Sequence, residues 1–211
     1  MKSLFPIFLL SFLIACGPTV QTVDTSLEDR IDRIENGLQL TLQIEGDAIP
    51  TFHVEERLKE LGIPGVSIAV LKDGEIEWAK GYGMAAVSEN RPVTTETMFL
   101  AGSISKPVAA IRAHQLAEEG IIHLDSNVNT YLSSWQLPDN EFTTREKATT
   151  RRILNHTAGL TVWGFPGYDK GDVVPSAVEV RDGKGNTDPV RVYQEPGTDW
   201  MYSGGGYTIM Q

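Results

Sequence analysis

Residues 99–108 read Phe-Leu-Ala-Gly-Ser-Ile-Ser-Lys-Pro-Val, and the interpretation of the whole chain depends on this segment. Ser103 and Lys106 are three residues apart, a spacing that puts a hydroxyl and an ammonium group on one face of a helix. Proline is tolerated only in the first helical turn, so Pro107 predicts a helix that begins near Ser103, with its hydroxyl at the positive end of the helix dipole. A serine there becomes nucleophilic when a neighbouring base takes its proton. Lys106 could be that base, or it could orient another one.

The Ser-x-x-Lys spacing is by itself a weak signal, because a serine at a helix start and a solvated lysine give the same pattern. The flanking sequence adds to it. Upstream, residues 66–70 alternate between apolar and smaller side chains, Asp73-Gly74 supplies a tight turn, and residues 75–80 return as a second strand. This pattern predicts a β-hairpin.

Helical patterns are predicted on both sides of the hairpin. They cover about 27–38, 51–61 and 103–119, a short stretch after Ser126, and about 150–156. Strands followed by a helical region predict a mixed α/β or α+β architecture. Residues 163–199 hold six glycines and four prolines with little periodicity, which is typical of an irregular segment that lines a functional site.

Composition excludes several functions. The chain of 211 residues has 28 acidic and 18 basic residues, and its net charge of −10 argues against nucleic acid as a partner. A single cysteine excludes a disulfide framework, and the four histidines lack metal-ligand spacing, so no metal is expected. Residues 81–86 match a Gly-x-Gly-x-x-Ala pattern, but no amphipathic helix follows, so no dinucleotide site is expected there.

The N-terminus predicts export and a lipid anchor. A positive start is followed by an apolar run that ends at Ala15, too short to cross a bilayer and suited to a signal peptide. Leu13-Ile14-Ala15-Cys16 resembles the bacterial lipoprotein processing box, and this resemblance implies a lipid on Cys16. Gly17 follows instead of aspartate, so the expected location is the bacterial cell envelope, at the periplasmic face of the outer membrane.

Five segments together identify a family. They are Gly65–Val70 with the hairpin after it, Phe99–Pro107, Glu119–Asp125, Ile153–Leu160 and Glu195–Ser203. In this order they resemble the serine β-lactamase-like superfamily, which comprises class C β-lactamases, low-molecular-mass penicillin-binding proteins and related esterases. The resemblance covers about residues 60–211 and implies an α+β fold, with an antiparallel sheet beside a helical region.

The resemblance also implies a mechanism. Ser103 would be the acylated nucleophile, and Lys106 and Tyr202 would share its activation. No cofactor is implied, and the substrate would be a small-molecule or peptide ester or amide. Esterase, D-amino-acid peptidase or carboxypeptidase, and weak β-lactamase activities all fit. His156 is interpreted as structural support near the pocket and not as a base.

The chain departs from the family pattern at two places. Gly204 stands where the family usually has an asparagine that hydrogen-bonds the substrate amide. This makes Gly204 a pocket candidate and argues against recognition of a β-lactam or a peptide amide, while acyl transfer stays possible. The family's third motif, Lys-Thr-Gly or His-x-Gly on a later strand, is not found after Tyr202. We therefore expect a partial domain that lacks its C-terminal strands.

The resulting division has three parts: a signal peptide (1–15), a tether with an N-terminal helix (16–50), and a partial serine hydrolase domain (51–211).

Three aromatic residues of the irregular segment, Trp163, Phe165 and Tyr168, could line a substrate cleft or simply pack the loop. The alternative from another class is a non-catalytic envelope lipoprotein, or an inactive fragment that keeps the fold.

The missing strand generates a prediction. In the family that strand supplies one of two backbone N–H groups of the oxyanion hole, and loss of one such donor costs about 10²–10³ in rate. We expect the 211-residue chain to turn over p-nitrophenyl esters far more slowly than a version extended at its C-terminus. Equal turnover by the two forms would contradict this expectation.

Overall fold

The computed structural model describes residues 26–211. The described residues fall into two compact units, one that ends at Met98 and one that spans Phe99–Gln211. The predicted signal peptide, Cys16 and residues 17–25 of the predicted tether lie outside the described residues. Within 26–211, no helix has the length and apolar character needed to cross a membrane.

The first unit begins with a capped helix. Helix α1 (Leu27–Glu35) starts after Ser26. The Ser-x-x-Asp spacing of Ser26 and Asp29 is typical of a capping box, and the structure forms this box. The expected continuation to Leu38 is wrong, because the helix ends at Asn36 and Leu38 belongs to a short strand. Strand β1 (Leu38–Gln39) pairs in antiparallel fashion with β2 (Thr51–Phe52).

The second helix of this unit starts later than the sequence pattern suggests. Helix α2 (Val54–Leu61) begins after His53, whose Nδ1 accepts the N–H of Glu55 at 3.2 Å. Thr51 is therefore in a strand rather than in the first helical turn. The helix ends at Gly62, as expected.

The predicted hairpin is present as strands β3 (Gly65–Lys72) and β4 (Glu75–Ala86), which are antiparallel. Asp73 and Gly74 both have positive φ, as a two-residue type I′ turn requires. Strand β4 also pairs with β5 (Arg91–Pro92). The Gly-x-Gly-x-x-Ala pattern lies inside β4 and not at a strand-to-helix turn, so the dinucleotide-binding geometry is not formed there.

The second unit carries the Ser-x-x-Lys segment. A 3₁₀ turn over Gly102–Ile104 leads directly into helix α3 (Ser105–Glu118), so Pro107 lies in the first α-helical turn. The remaining helices described in this unit are α4 (Thr150–Leu154), α5 (Ala177–Arg181) and α6 (Gly204–Ile209), with 3₁₀ turns at Val128–Thr130 and Glu141–Thr143. The described residues form helices and antiparallel sheets, which confirms the α+β class.

A small hydrophobic core supports these helices. Its members are Val128, Trp135, Leu137, Ala148, Ile153, Ala158, Leu160, Val190, Val192 and Ile209. Ile153 comes from α4 and Ile209 from α6, so both helices are held on the same core. An isolated bridge between Leu160 and Val192 ties the two ends of the irregular segment together.

Gly159 provides a test of this packing. Its φ of +64° is costly for other residues, and a Cβ there would overlap the carbonyl oxygen of Gln194. Gly120 has a similar φ of +72°, but no atom lies within 4 Å of a Cβ placed at that residue. We expect Gly120→Ala to lower the free energy of unfolding by about 1–2 kcal/mol. Gly159→Ala should cost clearly more, because the overlap adds to the backbone strain.

Urea denaturation of the two variants and the wild type measures both costs. Equal destabilisation by the two substitutions would show that the contact between residues 159 and 194 contributes nothing.

Candidate active site

The structure brings together the three residues that the sequence assigned to catalysis. The Oγ of Ser103 lies 2.9 Å from the hydroxyl of Tyr202, although the two residues are 99 positions apart in the chain. The Nζ of Lys106 donates to the same Oγ at 3.0 Å. The serine oxygen is thus in hydrogen-bond contact with both groups that could handle its proton.

Lys106 faces two aromatic rings as well as the serine. Its Nζ lies 5.0 Å from the ring centroid of Tyr202 and 5.6 Å from that of Tyr207. Both distances are within the range of cation–π interactions. The ammonium is therefore held next to the phenol whose ionised form it would stabilise.

The two tyrosines at this site differ in acidity. The pKa of Tyr202 is lowered from its ordinary value of 10, chiefly by hydrogen bonding with Lys106 and then with Ser103, while the charge of Lys106 adds to the effect. Burial, and then the charge of Tyr202, raise the pKa of Tyr207. The Tyr207 hydroxyl donates to the carbonyl oxygen of Leu154 at 2.9 Å. Tyr202 is thus the phenol suited to act as a base.

Ser203 fixes the backbone directly after Tyr202. It is 3% exposed and caps α6, with its Oγ accepting the N–H of Gly206 at 2.8 Å. The same hydroxyl donates to the carbonyl oxygen of Thr161 at 2.7 Å. The sequence predicted the role of Tyr202 but not the capping role of Ser203. A serine directly before a helix start is a known capping signal and could have predicted it.

Gly204 lies at the wall of the cavity, where the sequence placed it as a pocket candidate. Its N–H donates to the carbonyl oxygen of Trp163 at 3.0 Å. A Cβ at position 204 would lie 3.0 Å from that same oxygen, closer than side chains normally approach. The local backbone therefore fits glycine, and an asparagine here would have to displace the carbonyl of Trp163.

The catalytic candidates open into a cavity of about 610 Å³. Trp163 and Phe165 line it, and the ring of Trp163 lies 5.6 Å from that of Tyr202. Tyr168 behaves differently, because its hydroxyl accepts the N–H of Asn186 within the irregular segment. Of the three aromatic residues left open by the sequence, two line the cavity and Tyr168 packs the loop.

His156 lies beside Tyr202, with 4.4 Å between the ring centroids, and its Nδ1 accepts the N–H of Ser203 at 3.2 Å. No hydrogen bond joins it to Ser103 among the contacts of the described residues. Burial, and then the charge of Lys106, lower the pKa of His156. Residues 26–211 contain no group of three or more histidine, cysteine, aspartate or glutamate side chains that could hold a metal ion.

Comparison with known proteins gives a consistent result. The family described as Beta-lactamase matches residues 53–211. A penicillin-binding protein of Bacillus subtilis (strain 168) is 29% identical over 149 residues, which cover 68% of this chain and 30% of that relative. Esterase EstB of Burkholderia gladioli is 27% identical over 158 residues, which cover 71% of this chain and 40% of the esterase.

Solved structures show the same relationship. The octameric penicillin-binding protein homologue from Pyrococcus abyssi has a TM-score of 0.58 at 27% identity, covering 74% of this chain and 35% of that one. The chain spans 30–40% of the length of the two curated relatives named above.

The acidity of Tyr202 can be measured directly. A phenol with a lowered pKa ionises below pH 10, so the first tyrosine to ionise in an ultraviolet titration should be absent in Tyr202→Phe. Lys106→Met should move that first ionisation to higher pH, because the ammonium that favours the phenolate is removed. Lys147→Met is the matched control, since Lys147 pairs with Asp139. An unchanged titration in Lys106→Met would contradict this account of Tyr202.

Proposed function

The chain belongs to the β-lactamase family, and from this premise we propose that it is a serine hydrolase that forms an acyl-enzyme on Ser103. One observation carries the proposal: the Ser103 Oγ is hydrogen-bonded to the Tyr202 hydroxyl at 2.9 Å and to Lys106 Nζ at 3.0 Å. Covalent catalysis needs a nucleophile within reach of a base, and a third group that holds the base in place.

Acylation starts with Tyr202 as the base. Its phenolate takes the proton of Ser103 while Oγ bonds to the substrate carbonyl carbon, and the carbonyl electron pair moves onto oxygen. When the tetrahedral intermediate collapses, the bond to the leaving group breaks and Tyr202 returns the proton to that group. The N–H groups of Ile104 and Ser105 already donate to the carbonyl oxygens of Ala101 and Gly102, so the group assigned to the developing oxyanion is the backbone N–H of Ser103 itself.

Deacylation repeats these steps with water. Tyr202 takes a proton from a water molecule while the water oxygen bonds to the acyl carbon. The bond from that carbon to Ser103 then breaks. Ser103 recovers its proton from Tyr202, and the carboxylic acid is released. Lys106 stays protonated throughout, donating to Ser103 and stabilising the phenolate, so one positive charge serves both halves of the reaction.

The substrate is proposed to be a small ester or a peptide-like amide with an apolar acyl group. The exposed rings of Trp163 and Phe165 offer apolar surface at the cavity. Gly204 brings no side-chain amide to bind a substrate amide, which favours an esterase over an efficient β-lactamase. A D-amino-acid peptidase stays within the proposal, with its substrate amide bound by other groups of the site. The relatives include both a penicillin-binding protein and an esterase.

A lipid-anchored location is part of the same proposal. The apolar run that ends at Ala15 and the Leu-Ile-Ala-Cys sequence support processing and lipidation at Cys16. The enzyme would then act in the bacterial cell envelope, on substrates that reach the periplasmic face of the outer membrane.

Covalent labelling with a fluorophosphonate tests the proposed chemistry without requiring turnover. The wild-type chain should be labelled on Ser103, as located by mass spectrometry, and Ser103→Ala should not be labelled. Tyr202→Phe should slow labelling by about 10²–10⁴-fold, the usual contribution of a general base. Ser88→Ala is the matched control, since Ser88 is an exposed serine of the turn Val87–Glu89 and is not among the residues that line the cavity, and it should be labelled like the wild type.

Absence of labelling in the folded wild-type chain would reject a nucleophilic Ser103 and favour the non-catalytic lipoprotein instead. Labelling that persists in Ser103→Ala would place the nucleophile elsewhere.

A further inference from the structure

We propose that neutral His156 is a positioning residue that holds Tyr202 against Ser103, and that protonation of its ring loosens this hold. The proposal rests on the proposed function, because it concerns the base of that reaction. His156 does not touch the reacting atoms, so it acts only through Tyr202.

His156 binds the backbone on both sides of Tyr202. Its carbonyl oxygen accepts the N–H of Met201 at 2.8 Å, and its Nδ1 accepts the N–H of Ser203 at 3.2 Å. The imidazole also packs on the Tyr202 ring, with centroids 4.4 Å apart and planes inclined by 35°. A single residue thereby restrains the neighbour before Tyr202, the neighbour after it and its ring.

The position of His156 is itself well determined. It follows α4 directly, has a φ of +63°, and donates its N–H to the carbonyl oxygen of Ile153 at 3.2 Å. Its ring also contacts Tyr207, with centroids 5.4 Å apart, and the edge of Trp200 at 6.0 Å. Ile153 is 2% exposed, so the restraint on Tyr202 is anchored in the core of this unit.

The hydrogen bond to Ser203 depends on the protonation state of His156. An Nδ1 that accepts a hydrogen bond carries no proton of its own, so the ring is neutral with its proton on Nε2. In imidazolium both nitrogens are donors, and Nδ1–H would then face the N–H of Ser203. One of the two bonds that flank Tyr202 would be lost.

The groups that face His156 make its protonation unfavourable at neutral pH. They are Lys106 from α3, Tyr202 from the turn before α6, and Tyr207 from α6 itself. Burial first, and then the charge of Lys106, lower the pKa of His156 below its ordinary value of 6.5. Because the folded state binds this proton less readily than the unfolded state, the stabilising effect is present above pH 6.5 and is lost as the pH falls.

Two variants separate the functions of the imidazole. His156→Asn offers a side-chain oxygen as acceptor, tolerates a positive φ and does not titrate. His156→Phe keeps a ring beside Tyr202 but has no acceptor. His123→Asn is the matched control, since the Nδ1 of His123 likewise accepts a backbone N–H, that of Asp125.

The kinetic experiment compares fluorophosphonate labelling rates across pH. The ratio of the wild-type rate to the His156→Asn rate cancels the ionisation of Tyr202 and isolates that of His156. We expect this ratio to be constant above pH 6.5 and to fall by about tenfold or more in acid, since small misplacements of a reacting group can cost about 10²-fold. The ratio of wild type to His123→Asn should stay flat, and His156→Phe should be slow at every pH.

Nitrogen NMR of the wild-type chain gives a readout that needs neither a variant nor activity. We expect the His156 ring to carry its proton on Nε2 and to titrate below pH 6.5. A proton on Nδ1, a titration at or above pH 6.5, or a labelling ratio independent of pH would each overturn the proposal. A wild-type chain with the expected NMR spectrum but no label on Ser103 would contradict the proposed function while retaining the restraint on Tyr202.

Discussion

The Oγ of Ser103 contacts both the ammonium of Lys106 and the phenol of Tyr202, and the proposed chemistry depends on these two hydrogen bonds. The two partners are held in different ways. Lys106 lies in the first turn of α3, which follows directly on the 3₁₀ turn that carries the serine, so its contact follows from the three-residue spacing. Tyr202 comes from a distant part of the chain and must be held by packing.

That packing is built from small residues and buried hydrogen bonds. Gly204 and Gly205 bring the start of α6 close enough for their N–H groups to reach the carbonyl oxygens of Trp163 and Val162. Ser203 closes the same junction from within, and His156 holds it from the side of α4. The absence of side chains at 204 and 205 is thus a structural requirement of the turn that presents Tyr202, in addition to any effect on substrate choice.

Electrostatics and positioning act in the same direction at this site. Hydrogen bonding with Lys106 and then with Ser103 lowers the pKa of Tyr202, with the charge of Lys106 adding to the effect. Burial, and then the same charge, lower the pKa of His156. Tyr207 remains protonated beside them because burial raises its pKa. The charge of Lys106 thus acts on two of these three groups, and in both it favours the form that the proposed mechanism requires.

The sequence by itself determined the features that depend on neighbouring residues. The Asp73-Gly74 turn, the Ser26 cap and the Ser103–Lys106 pair follow from dihedral preferences and helical spacing, and motif order identified Tyr202 and the α+β family. Tertiary structure alone decided the rest: the end of α1 before Leu38, the division between cavity-lining Trp163 and loop-packing Tyr168, and the contacts of Ser203 and His156. These depend on segments far apart in the chain, whose approach is set by core packing and hydrogen-bond satisfaction rather than by local preference.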